Sequence, residues 1–197
     1  LYTTSSIFEN TVLFSDPSDN TNAGASWVYF RSGSTWTEQT GTKLVGTGAT
    51  GAAQQGFSNS LYNNTLIVGG PADNTNAGAA WIFTRSGSTW TQQGSKLVGT
   101  GATGAARQGA SVSLYENTIA IGGTDDNSSV GATWIFVRNG TTWYQQGLKL
   151  VGTGNSGASQ QGYSVSLFED TLAVAGFGDN LNAGATWIFV RNGTTWT

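Results

Sequence analysis

The stretch Ala132-Thr133-Trp134-Ile135-Phe136-Val137-Arg138-Asn139-Gly140-Thr141-Thr142-Trp143 returns letter for letter as Ala185 to Trp196, and in closely related form at Ala25 to Trp36 and Ala79 to Trp90. It reads as a strand apolar on both faces, a Gly-containing turn, and a short strand that opens with tryptophan. A strand of that kind must be covered on both sides. The step between copies is 53 or 54 residues, kept by Trp27, Trp81, Trp134 and Trp187, by Trp36, Trp90, Trp143 and Trp196, and by Arg31, Arg85, Arg138 and Arg191. Lys43, Lys96 and Lys149 keep the same step in three copies. A period of this order marks stacked-repeat architectures.

Upstream of this pair each copy carries two more strand signals. In Ser111 to Tyr115, Val112 and Leu114 alternate with serines, the pattern of a half-buried strand. A two-residue turn follows, Glu9-Asn10, Asn63-Asn64, Glu116-Asn117 or Glu169-Asp170, then a second strand such as Thr118 to Ile121 that runs into Gly122-Gly123. A polar loop, Asp73-Asn74-Thr75-Asn76-Ala77-Gly78 in its clearest copy, leads to the third strand. The turns before the fourth strand are Ser32-Gly33, Ser86-Gly87, Asn139-Gly140 and Asn192-Gly193, and Leu97 to Gly101 opens the connector to the next copy. Glycines interrupt every candidate helix. The expected fold is all-β: a single domain forming a β-propeller-type array of four-stranded antiparallel blades, four repeats of about 53 residues with units near 1–50, 51–104, 105–157 and 158–197. The last blade is expected to be incomplete, since the fourth strand breaks off at Thr197. A linear stack of the same sheets buries similar surface, so the period leaves ring closure open.

Composition narrows the chemistry. The chain has 29 Gly, no Cys, no His and no Met, which removes thiol nucleophiles, imidazole bases and the usual zinc ligands. The net charge of -3 and the scattered basic residues argue against a nucleic-acid surface. No apolar run approaches the roughly 18 to 20 residues that span a bilayer. No cofactor and no metal site are expected, and no pair of carboxylates stands out as acid and base, so the chain reads as a non-enzyme.

The segments Gln55-Gly56-Phe57-Ser58 and Val68-Gly69-Gly70-Pro71, followed by Asn76-Ala77-Gly78-Ala79-Ala80-Trp81-Ile82-Phe83, resemble FG-GAP repeats, the blade units of integrin-α-type propellers. The resemblance extends over all four units and implies a surface that binds or adheres. Gly-Phe, Gly-Ala and Gly-Tyr stand where the family has Phe-Gly, and one unit alone has the Pro after Gly-Gly. The family's calcium loop between the first two strands is reduced here to two-residue turns. Those turns cannot supply the about six to eight oxygens that calcium takes.

Candidate ligand-binding residues are the loop pairs Asp19 and Asn22, Asp73 and Asn76, and Asp179 and Asn182; the third copy, Asp125-Asp126-Asn127-Ser128-Ser129-Val130, departs from the pattern. Such side chains equally serve their own turns. Trp36, Trp90, Trp143 and Trp196 are candidate sugar-stacking platforms, while Trp27, Trp81, Trp134 and Trp187 read as core between sheets. The recurring Arg is expected over a Trp face or against a loop Asp. Asn63, Asn127, Asn139 and Asn192 head possible N-glycosylation sequons. Together these readings point to a non-enzymatic scaffold, extracellular or at the cell surface, that adheres or self-associates through its unfinished terminal sheet. A lectin-like module is the alternative, with glycans or another surface protein as partners.

Overall fold

The computed structural model describes residues 3–39 and 43–197. Four sheets follow one another, each an antiparallel meander in chain order. The first holds β1 (Thr4–Phe8), β2 (Thr11–Asp16), β3 (Ala25–Ser32) and β4 (Thr35–Glu38). The second holds β5 (Ser58–Tyr62), β6 (Thr65–Gly70), β7 (Ala79–Ser86) and β8 (Thr89–Gln92). The third holds β9 (Gln108–Tyr115), β10 (Thr118–Gly123), β11 (Ala132–Asn139) and β12 (Thr142–Gln145). The fourth holds β13 (Ser164–Phe168), β14 (Thr171–Gly176), β15 (Ala185–Asn192) and β16 (Thr195–Trp196).

Local chemistry accounts for the strand ends. Phe8 pairs with Thr11, so Glu9-Asn10 forms the first turn, and Glu9, Asn63, Glu116 and Glu169 take left-handed backbone with φ of 51°, 55°, 50° and 51°. The second turn lies one residue later than the sequence suggests: Ser32 pairs with Thr35, leaving Gly33-Ser34 as the loop. Gly33 sits at φ 61°, where a side chain is disfavoured. The last sheet is not missing a strand, because Arg191 pairs with Trp196 and Asn192 with Thr195; its fourth strand is short.

The core lies between sheets. Leu13 and Val28 of the first sheet meet Leu66, Val68, Trp81 and Phe83 of the second. Ile67 and Ile82 of the second meet Leu114, Ile119, Ile121 and Trp134 of the third, and Ala120 and Ile135 of the third meet Val165, Leu172 and Val174 of the fourth. One face of each sheet therefore looks back along the chain and the other looks forward. Seryl oxygens add polar ties on the forward faces: Leu114 N–H donates to Ser60 Oγ and Leu167 N–H to Ser113 Oγ, both at 3.0 Å.

Closure is where the expectation fails. Among the described residues, the core clusters and the hydrogen bonds between sheets join consecutive sheets only. Ile7 and Phe14 on the back of the first sheet and Ile188 and Val190 on the front of the fourth are exposed, whereas a ring would press these rows together. The molecule is thus four separate antiparallel sheets in open succession, neither a closed propeller nor a set of radially stacked blades. Two-faced apolar strands require a cover on each side, but their pattern carries no information about the angle from one sheet to the next.

Glycine sets how near the sheets come. A Cβ on Gly99 would stand 2.1 Å from Cδ1 of Trp134, and one on Gly122 would stand 2.2 Å from the Gly162 carbonyl oxygen. Gly99→Ala is therefore expected to destabilise through collision with the ring, and Trp134→Ala by about 3–5 kcal/mol through the cavity it leaves. Urea unfolding of both variants against the parent checks this; a Gly99→Ala protein as stable as the parent would contradict the tight joint.

Candidate functional site

The Asp loops form left-handed turns. Asn74, Thr75 and Asn76 have φ of 48°, 52° and 66°, values repeated closely at residues 20–22, 127–129 and 180–182. Three of the turns aim their Asp back at the connector that precedes their own sheet. Asp73 is buried; its Oδ1 accepts the Thr50 N–H at 2.7 Å and its Oδ2 the Lys96 ammonium at 2.5 Å. Asp126 does the same with Thr103 and Lys149, Asp179 accepts the Ser156 N–H, and Asp19 pairs with Lys43. Asn22 and Asn76 offer backbone carbonyls to the Gln54 and Arg107 N–H groups, and their side chains, like that of Asn182, lie exposed. These candidates thus fall at one corner of each repeat, where the carboxylates clasp the chain itself. Asp126 is a full member of the series that the altered letters around it concealed; only its Asn partner is replaced, by Ser129. Among the described residues no group of three or more His, Cys, Asp or Glu comes together as a metal site.

The second Trp series is built into a latch between sheets. Arg85, Arg138 and Arg191 lie over the rings of Trp90, Trp143 and Trp196 at 5.5, 5.2 and 5.3 Å, as Arg31 does over Trp36. Arg138 donates through Nε and Nη2 to Asn117 of its own sheet and through Nη1 to Thr65 of the preceding sheet. Trp90, Trp143 and Trp196 donate their Nε1–H to Gln39, Gln93 and Gln146, again of the preceding sheet. Three of the four proposed platforms are consequently buried in joints. Trp36, on the back of the first sheet, is 41% exposed where Trp90 is 5%.

A glutamine series escaped the sequence reading although its 53-residue step is plain: Gln55, Gln108 and Gln161. Each is buried and grips one connector glycine with both ends of its amide. Gln108 Oε1 accepts the Gly99 N–H at 2.5 Å while its Nε2 donates to the Gly99 carbonyl at 2.9 Å, and Gln55 and Gln161 treat Gly46 and Gly152 alike. The held connector then closes over the next indole: Trp81, Trp134 and Trp187 donate Nε1–H to the carbonyls of Thr47, Thr100 and Thr153.

A ladder of rings, Phe8, Tyr62, Tyr115 and Phe168, runs along the hairpin end with centroids 4.8, 5.1 and 4.9 Å apart. Burial there, then Tyr62, Glu116 and Glu169, holds the Tyr115 phenol above its ordinary pKa. The sequon residues Asn63, Asn127, Asn139 and Asn192 are all exposed.

No family model matches the chain, FG-GAP repeats among them, and no curated protein matches it. The family resemblance is accordingly corrected. The letters that carry it have local causes: Gly69 passes against the Gly109 carbonyl, and Gly56, at φ 85°, lies against Ser15 of the preceding sheet.

The two end faces leave exposed positions whose counterparts the joints bury. Ile188 is 58% exposed where its counterpart Ile135 is fully buried. Because the joints rest on the glutamine grip, Gln108→Leu is expected to leave the Gly99 N–H and carbonyl stranded, at about 1–3 kcal/mol for each group. Thr91→Ala, at an exposed site of β8, is expected to cost under about 1 kcal/mol. Thermal and urea unfolding of the two variants measures the difference.

Proposed function

We propose that this all-β repeat protein is a non-enzymatic structural scaffold that works outside the cell or at its surface and assembles by stacking copies end on end. One observation carries the reading: each end face presents the residues that the internal joints bury. The back of the first sheet offers Ile7, Phe14 and Trp36 where the second sheet buries Leu61, Val68 and Trp90. The front of the fourth offers Ile188 where the third buries Ile135. Seated together, the two faces would bring Arg31 to Thr171, as Arg191 now meets Thr118 at 3.1 Å. The contact is head to tail, so each copy leaves a free end for the next, and growth is open rather than closed. Exposed sequon asparagines support the extracellular placement.

Light scattering across a concentration series is expected to show growing assemblies; a strictly monomeric protein at every concentration defeats the proposal. Phe14→Asp and Ile188→Asp each disable one end. Each variant alone should therefore remain monomeric, and the pair mixed should stop at a dimer.

A further inference from the structure

In a chain of near-identical repeats, places where equivalent positions disagree are informative. Four such places converge on one cleft of about 550 Å³ where the third sheet meets the fourth. Arg107 stands where the neighbouring copies have Gln54 and Gln160. Asp125 stands where the others have Ser18, Ala72 and Gly178; Phe177 stands where they have Pro17, Pro71 and Thr124; and Tyr163 stands where they have Phe57 and Ala110. No joint needs these changes, since the other joints form without them.

The cleft has unmet bonding capacity. The Nε of Arg107 and the Oε1 of Gln160 are shielded from solvent with no hydrogen-bond partner. Both residues are pinned by left-handed backbone, at φ 56° and 55°, and by N–H bonds to the Asn76 and Ser129 carbonyls, so their stems are fixed. Among the described residues Arg107 forms no ion pair. Asp125 accepts one bond, from Thr124 Oγ1 at 2.9 Å. Beside them Tyr163 and Phe177 meet edge to face at 4.7 Å and remain 57% and 48% exposed.

We infer that this cleft binds a neutral sugar residue of a glycan. A donor side chain, Arg107, and an acceptor, Asp125, line the same cleft and suit a group that both donates and accepts, which a hydroxyl does. Bare aromatic rings next to them suit the C–H face of a pyranose. Arg107 and Asp125 offset each other in charge, which favours a neutral ring over a uronate or a sulfated sugar. The site is separate from both end faces and does not depend on self-association.

The test titrates the full chain calorimetrically with neutral oligosaccharides (glucans, mannans, galactans, xylans) and with acidic ones. The variants Arg107→Gln and Asp125→Ala install residues that sibling repeats already carry at those positions, so folding should be kept. The parent is expected to bind at least one neutral glycan, each variant to weaken it about tenfold or more with melting temperature unchanged, and Ile188→Asp to bind like the parent as a monomer. Binding by no neutral glycan at millimolar concentration, binding of acidic glycans only, or affinity unaltered in both variants overturns the inference.

Discussion

Trp134 belongs to the third sheet, yet what closes over its indole comes from the connector before it: Gly99 lies flat against the ring and Thr100 takes its N–H. An indole N–H left unpaired in such a place would cost about 1–3 kcal/mol, so the ring cannot be buried without the connector. The connector in turn is held by Gln108, at the start of the third sheet. Sheet and connector therefore hold each other, and the same three-part lock stands at each of the three joints. No repeat completes its own core.

From that dependence follows the distribution of polar groups. The Arg, Trp, Thr and Gln of each latch divide between two sheets, so a sheet's hydrogen bonds are satisfied only in the company of the sheet before it. The Asp and Lys clasp fastens the connector from the other side. A stack of this kind has stability that accumulates joint by joint. Its end faces are joint halves with apolar side chains exposed, and the proposed head-to-tail assembly rests on that.

Near-identity among the repeats both helped and hindered the reading of sites. Regular spacing exposed the two Trp series, the Arg over Trp contacts and every turn to within a residue. It also drew attention to the conspicuous Asp-Asn loops, whose carboxylates are turned inward onto backbone and lysine. The glutamine series is equally periodic, but a polar side chain gives no sign in sequence of being buried. Arg107, Asp125, Tyr163 and Phe177 lie up to 70 positions apart, and nothing but the stacking of the third sheet on the fourth brings them to one cleft.

Alternation, turn residues and the repeated double-faced strand were enough to determine four-stranded antiparallel sheets, their order and their mutual dependence, because those features act over a few residues. Whether the sheets close on themselves was decided by tertiary structure alone. The angle at a joint is set by how closely Gly122 can approach the Gly162 carbonyl and by the summed volumes of the side chains between two sheets. A strand's own pattern encodes neither quantity, and a small difference per joint separates a ring from an open stack.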